Sequence, residues 1–160
     1  MTVSGAPSGY EKALALSRSE EPKLREAYEL LTKACAEGDM RADYALASWH
    51  LYGNDVVERD ERKGVSILKS LEKSNIAEAL FDLAVSYDYG KSVRRNRKRA
   101  FSLYMKSALL GDKSACDQVS QFYAEGKFVP YDKGLAQAWE ARAQQSEESI
   151  SPPYRLWIDR

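Results

Sequence analysis

The pattern of small, apolar and glycine positions repeats three times along the chain. Each stretch has alanine at its first position, leucine or valine four residues later, glycine after eleven residues and valine after fourteen. The stretches begin at Ala42, Ala79 and Ala115, so successive starts are 37 and 36 residues apart. A fixed period in this range, built from residues at helical spacing, is typical of an α-solenoid.

The stretch that begins at Ala79 shows what one repeat contains. A first helix, helix A, is predicted to stop at Gly90, where glycine accepts a left-handed backbone. A second helix, helix B, is predicted from about Arg97 to Leu110, and Gly111 follows it. The apolar faces are expected to consist of Leu83, Ala84 and Tyr87 with Ala79 on helix A, and of Ala100, Leu103, Tyr104, Ser107 and Ala108 on helix B. Each repeat is therefore predicted to be a helix–loop–helix with antiparallel helices.

The other repeats follow this plan with local departures. In the second repeat, Asn75 stands where glycine ends helix B elsewhere, and we expect it to be left-handed. Upstream, residues 27–38 match helix B of a first repeat, and residues 10–18 supply a degenerate helix A. The sequence thus predicts an all-α superhelix of about three and a half repeats, which would occupy residues 10–41, 42–78, 79–114 and 115–145 after a flexible tail at 1–9.

The C-terminal residues 146–160 have a different composition. Pro152 and Pro153 forbid a helix and favour an extended path, while Ile150, Tyr154 and Trp157 are apolar. The favoured interpretation is a non-helical strap that covers the last repeat. A docking peptide for another protein is the alternative, and deletion of residues 149–160 would separate the two through stability and binding.

Charge and composition exclude several classes of function. The 24 lysines and arginines balance the 24 aspartates and glutamates, so the net formal charge gives no general attraction to polyanions. The chain has no apolar run long enough to span a membrane, and residues 1–9 lack the features of a signal peptide. The two cysteines, Cys35 and Cys116, form no disulfide framework, so a reducing cytoplasmic location is expected.

The repeated residues resemble the Sel-1-like repeat family, a relative of the tetratricopeptide repeats. The resemblance covers about residues 23–143 and is closest at Ala79, Leu83, Tyr87, Gly90, Val93, Arg99, Ala100, Tyr104, Lys106, Ala108, Gly111 and Ala115. It implies a scaffold or adaptor that binds proteins in signalling or virulence, or a bacterial immunity protein that neutralises a toxin. A branch of the family binds or hydrolyses β-lactams, but its paired cysteines are missing here.

The strongest charge run lies between helices A and B of the third repeat. Arg94, Arg95 and Arg97 carry it, and the flanking cations are Lys91, Lys98 and Arg99. One interpretation is ion pairing with the equivalent loop of the preceding repeat, whose acids are Asp55, Glu58, Asp60 and Glu61. The other interpretations are an acidic protein partner and, less favoured because the run is short, nucleic acid.

A second candidate surface follows the open flank of helix A, three, seven and ten residues after its first position. Solenoids commonly present such a ridge to ligands on their concave side. The favoured contact residues are Tyr52, Asp82, Tyr89 and Glu125, whereas Trp49 and Phe122 are expected to pack between repeats.

No residue pattern indicates catalysis, a cofactor or a metal. His50, the one histidine, takes the phase that Tyr87 and Tyr123 fill in later repeats, so we expect it to be a packed helix residue. The cysteines and this histidine have no zinc-site spacing, and no glycine-rich phosphate loop precedes a helix. The predicted function is non-enzymatic binding of a protein partner, such as a toxin or a signalling protein, on the concave surface. A hydrolase and a nucleic-acid binder are the alternatives.

Overall fold

The computed structural model describes residues 5–145, which form eight α-helices. The helices are α1 (Gly9–Ser17), α2 (Leu24–Ala36), α3 (Met40–Tyr52), α4 (Glu61–Ser70), α5 (Ala77–Tyr89), α6 (Arg97–Leu109), α7 (Lys113–Glu125) and α8 (Lys133–Ala143). The predicted strap at 146–160 lies outside the described residues. Among the described helices, none combines the length and apolarity that a membrane crossing requires.

The chain divides into two compact units, one that ends at Ile67 and one that begins at Leu68. In the first unit, α1 packs against α2 and α2 packs against α3. The fully buried residues of this unit's core are small or aliphatic: Ala13, Ala27, Leu31, Ala34 and Ala42. Helices α1 and α2 form a complete pair, so the described residues contain four helix pairs, where the sequence predicted about three and a half repeats.

The second unit contains the helix pairs α5–α6 and α7–α8, and α6 also packs against α7. Alanines at the predicted first positions allow this close approach, since Ala79 and Ala115 are both almost completely buried. Larger side chains fill the space between helices, and the buried ones include Leu80, Leu83, Tyr104, Val119 and Phe122. Helix α5 has the largest buried share, with eight buried residues.

One backbone hydrogen bond recurs at the start of helix B and sets how each loop closes. The amide of Asp60 donates to the His50 carbonyl at 2.7 Å, and Asn96 donates to Tyr87 at 2.8 Å. The fourth repeat has the same bond, from the Asp132 amide to the Tyr123 carbonyl at 3.2 Å. The three acceptors, His50, Tyr87 and Tyr123, are at equivalent positions of the sequence repeat. The backbone hydrogen bond therefore repeats together with the sequence pattern.

Glycine ends helix A as predicted, with φ of 73° at Gly90 and 64° at Gly126. The prediction for Asn75 is wrong, because Ser92 is the non-glycine residue with positive φ among the described residues. Helix α4 stops earlier, at Ser70, and the chain leaves it through tight turns in which the Leu71 and Ser74 amides bond to carbonyls three residues back. Such turns need no left-handed residue at position 75.

Candidate protein-binding surface

The segment that joins α5 to α6, with the first turn of α6, concentrates positive charge. No acidic residue occurs between Asp88 and Asp112, and the interval contains Lys91, Arg94, Arg95, Arg97, Lys98, Arg99 and Lys106. We call residues 91–99 the basic segment. Positive charge at the start of a helix opposes the helix dipole, so this arrangement lowers helix stability unless acids compensate it.

The N-cap of α6 does not supply that compensation. Asn96 caps the helix by accepting a hydrogen bond from the Arg99 amide at 2.9 Å. In contrast, the aspartates Asp39, Asp112 and Asp132 cap α3, α7 and α8. The cap of α6 is therefore neutral at the one helix whose first turn holds three cations.

Arg97 is the one cation of the basic segment that is half-buried rather than exposed. Its Nε lies 2.8 Å from Oδ1 of Asp88 and its NH1 3.0 Å from Oε2 of Glu125, and its side chain is 18% exposed. The guanidinium also lies over the rings of Phe122 and Phe128, at 4.6 and 5.0 Å from their centres. Desolvation lowers the pKa of Arg97, but hydrogen bonds to Glu125 and Asp88 outweigh it and the pKa is raised. Arg97 is thus permanently charged and joins α5, α6 and α7.

Arg99 binds a different acid of the same unit, Glu72. One of its terminal nitrogens lies 2.8 Å from Oε2 and 3.0 Å from Oε1 of Glu72, and its guanidinium covers the ring of Tyr87 at 4.7 Å. The carbonyl of Glu72 also accepts a hydrogen bond from Lys106 at 2.9 Å. Glu72 therefore anchors two cations of helix α6.

Within the second unit, the cations of the basic segment that form ion pairs bind Asp88, Glu125 and Glu72. Arg97 and Arg99 reach these acids from the first turn of α6. Pairing with Asp55, Glu58, Asp60 and Glu61, which belong to the first unit, stays a prediction.

The rest of the basic segment forms no ion pair with the described residues. Arg94 and Lys98 are exposed. Arg95 donates through Nε to the backbone carbonyl of Asp88 at 2.7 Å, and the Lys91 ammonium lies 5.7 Å from the centre of the Tyr89 ring. These contacts leave four positive charges without a carboxylate partner.

Three adjoining clefts surround the basic segment, and we call them together the basic groove. Their volumes are about 490, 550 and 520 Å³. The cations that line the groove are Lys69, Lys73, Arg94, Arg95, Arg97, Lys98, Arg99, Lys106 and Lys127. All of them belong to the second unit.

The predicted ridge on helix A is only partly open. Tyr52 and Tyr89 are 76% and 66% exposed, and each is the last residue of its helix. Glu125 is exposed but binds Arg97, and Asp82 is half-buried. Their role in binding stays a prediction.

The position seven residues along helix A belongs to the packing. Ser86 and Phe122 are buried there, and Trp49 is half-buried beside Tyr28, with their ring centres 6.3 Å apart. Phe122 packs on Phe101 of α6 at 5.3 Å, as expected for a contact between repeats.

Two exposed aromatic residues were not among the contact residues predicted from the sequence. Phe128 and Tyr131, in the loop between α7 and α8, are 46% and 65% exposed. The available signal was their position in a short loop, Lys127 to Asp132, outside any helical stripe. Phe128 also lines the basic groove beside Lys127, so it adds an apolar contact at that end.

His50 and the cysteines are in packed environments. Burial is the main cause of a lowered pKa at His50, and the nearby Lys63 charge adds to it. Burial raises the pKa of the Cys35 thiol to about 12 and that of Cys116 to about 11, so both are protonated and weak nucleophiles at neutral pH. Among residues 5–145, no group of three histidine, cysteine or acidic side chains is placed to hold a metal.

Solved structures share this fold. A Sel1 repeat protein from Oxalobacter formigenes is 24% identical and has a TM-score of 0.66, with 87% of this chain and 95% of that chain covered. The immunity protein Pa5087 from Pseudomonas aeruginosa is 21% identical and has a TM-score of 0.62, with 86% of this chain and 54% of that chain covered. At these identities, the similarity concerns the fold alone.

Sequence comparison gives a curated relative and a family. The chitin synthase regulator SKT5 of Saccharomyces cerevisiae is 30% identical over 89 residues, which are 55% of this chain and 13% of that protein. The chain therefore spans only a small part of this relative. The Sel1 repeat matches residues 9–39, 41–70, 77–112 and 113–143, one match for each helix pair. The chain therefore belongs to the Sel1 repeat family.

Proposed function

We propose that the chain is a non-enzymatic adaptor that binds a partner protein through its second unit. The observation that carries this proposal is the group of unpaired cations at the basic segment, next to exposed Tyr89 and Phe128. Tyrosine and phenylalanine anchor interfaces because they bury a large area at low entropy cost. Unpaired exposed charges orient an approaching partner of opposite charge and raise the rate of association.

Known proteins support a binding role. The relative from yeast is a regulator of chitin synthase, and a protein with the same fold is an immunity protein. A role of this kind needs an exposed surface and no catalytic group.

The test compares two matched tyrosines. Each of Tyr52 and Tyr89 is the last residue of a helix A and is followed by glycine, but they belong to different units. A partner is first captured with the full chain from the organism that encodes it, and is then purified. We expect Tyr89→Ser to raise the dissociation constant of the complex with this partner about tenfold or more. Tyr52→Ser should change that constant by less than about twofold. Equal constants for wild type and Tyr89→Ser would contradict the proposed surface.

An immunity function is the narrower form of this proposal. The fold shared with the Pseudomonas immunity protein supports it, and a toxin would then be the partner. The test is co-expression with the product of the neighbouring gene. Growth arrest by that product, relieved by the wild-type chain and not by Tyr89→Ser, is the expected result. If the product of the neighbouring gene is harmless, the immunity function is rejected and a regulatory adaptor is the function that stands.

A further inference from the structure

We infer that the basic groove binds an extended acidic peptide segment of a partner protein. This inference rests on the proposed function and specifies the chemistry of the contact. It adds a site that the exposed tyrosines do not define, because the groove crosses the start of α6 between neighbouring helices.

The groove is continuous. The cleft beside Ser102 and the cleft beside Tyr87 share Lys69 and Arg99 as lining residues. The cleft beside Tyr87 and the cleft beside Phe128 share Arg95 and Asn96. A ligand that contacts all three must therefore be elongated, as an extended peptide is.

The charge of the groove is strongly unbalanced. Glu72 is the one acid among its lining residues, against nine cations. Arg97 and Arg99 form ion pairs with Asp88, Glu125 and Glu72, and Lys106 donates a hydrogen bond to the backbone carbonyl of Glu72. The other six cations form no ion pair with described residues: Lys69, Lys73, Arg94, Arg95, Lys98 and Lys127. Their mutual repulsion is relieved when carboxylates enter the groove.

The occupied cations show that the site accepts carboxylates. Glu72 places both carboxylate oxygens within 3.0 Å of Arg99, and two acids converge on Arg97. Guanidinium groups hold carboxylates through directed hydrogen bonds, so Arg94 and Arg95 can treat a ligand carboxylate in the same way.

A peptide fits better than single-stranded nucleic acid. Proteins that bind single strands stack successive bases on exposed aromatic rings. In this groove the ring of Tyr87 is 9% exposed and lies under Arg99, which leaves Phe128 as the exposed ring among the lining residues. The same ring favours a peptide that carries an aromatic residue near one end of its acidic stretch.

Fluorescence anisotropy of a labelled peptide, Glu-Asp-Glu-Glu-Asp-Phe, tests this inference with the full chain. The groove variant is Arg94→Glu/Lys98→Glu. The control is Arg25→Glu/Arg62→Glu, which changes the net charge equally at exposed positions of the first unit. We expect the groove variant to weaken binding about tenfold or more and the control to stay within about twofold of wild type. Circular dichroism checks that both variants fold.

Peptide substitutions test the details of the contact. A Gln-Asn-Gln-Gln-Asn-Phe peptide has the same length but no charged side chains. It should bind far more weakly, because the cations of the groove then have no carboxylates to pair with. Replacing the peptide phenylalanine with serine should weaken binding to wild type but not to Phe128→Ser.

Several results would overturn the inference. They are absent binding of the acidic peptide, equal loss of binding in the control variant, and equal binding of the neutral peptide. Tighter binding of a short polyuridine oligonucleotide would assign the groove to nucleic acid. If the captured partner binds the groove variant normally yet fails to bind Tyr89→Ser, the groove inference fails and the proposed function stands.

Discussion

At the scale of single residues, Arg97 shows how one side chain connects several helices. It binds Asp88 at the end of α5 and Glu125 at the end of α7, and it covers Phe122. Asp88 is 6% exposed and also lies 3.4 Å from the Tyr104 hydroxyl. Burial and the Asp88 charge raise the pKa of Tyr104, so its hydroxyl stays a donor. The sequence counted Arg97 as a candidate for partner contact, and the structure shows an internal role as well.

We therefore predict that Arg97→Ala strongly destabilises the protein. The change leaves the carboxylate of Asp88 buried without its cation, at a cost of about 3 kcal/mol in the free energy of unfolding. Arg94→Ala is the matched control, since Arg94 is exposed and makes no ion pair with described residues, and should cost less than about 0.5 kcal/mol. Urea titrations measure both values. Equal midpoints for the two variants would mean that the Arg97 contacts add nothing to stability.

A second prediction separates backbone strain from steric overlap at glycine. Gly111 and Gly126 have φ of 100° and 64°, so an added Cβ strains both. At Gly126 that Cβ would also lie 2.8 Å from Cβ of Tyr131, whereas at Gly111 it meets nothing within 4 Å. We expect Gly111→Ala to cost about 1 kcal/mol and Gly126→Ala about 2–3 kcal/mol. Thermal unfolding of both variants gives the comparison, and a smaller loss for Gly126→Ala would refute it.

A third prediction concerns pH and rests on the single histidine. Burial lowers the pKa of His50 from its ordinary value of 6.5, opposed only in part by Asp60 and the Glu58 carbonyl. Below that value, the unfolded chain binds a proton that the folded chain does not. The free energy of unfolding must then fall as pH decreases from 6.5 to the folded pKa.

His50→Tyr, which introduces the residue of the later repeats, should reduce this pH dependence. Urea midpoints between neutral pH and about pH 5, above the carboxylate range, provide the measurement. An unchanged slope in the variant would show that other groups titrate in this interval.

At the scale of elements, the loop between helices A and B is the most regular part of the repeat. Its last residue donates its amide to helix A and caps helix B with its side chain, at Asp60, Asn96 and Asp132. The capping role needs a short side chain with an acceptor oxygen, which aspartate and asparagine supply. The substitution of asparagine in one repeat removes a negative charge where the first helical turn is most positive.

This difference predicts opposite effects for two cap variants. Asn96→Asp should raise the free energy of unfolding by about 0.3–1 kcal/mol, because a carboxylate interacts favourably with the helix dipole and with Arg97 and Lys98. Asp132→Asn, at the same position of α8, should lower it by a similar amount. Asn96→Asp should also weaken binding of the acidic peptide. Urea titration and anisotropy test both, and destabilisation by Asn96→Asp would contradict the electrostatic explanation.

The helices were predictable because residues within each repeat mark where its helices begin and end. The predicted helix B from Arg97 to Leu110 ends one residue from the observed end at Leu109, and Gly90 and Gly126 end α5 and α7. The site was less predictable, because Arg97 takes partners 9 and 28 positions away, on two other helices. Packing between repeats was more predictable, because Phe122 lies beside the buried stripe of helix A and was expected to contact a neighbouring repeat, as it does at Phe101 of α6.

At the scale of the whole molecule, burial is distributed unevenly among the four helix pairs. Helix α5 has eight buried residues and α6 has five, whereas α1 and α8 have one each, Ala13 and Ala136. In repeat proteins, each repeat is stabilised by its neighbours, so a terminal repeat has fewer stabilising contacts than an internal one. The third repeat, which carries the basic segment, therefore contains the helices with the most buried residues.

The last prediction follows from this distribution and is measured by native-state hydrogen exchange. Amides of α1 and α8 should exchange through local openings of low free energy, whereas those of α5 and α6 should require an opening close to global unfolding. Ala115→Leu, which overpacks the contact between α6 and α7 at a cost of about 1–3 kcal/mol, should lower the protection of α7 and α8 and leave α1 unchanged. Equal protection in all eight helices would instead indicate one cooperative unit, in which strain at Ala115 reaches α1 as readily as α8.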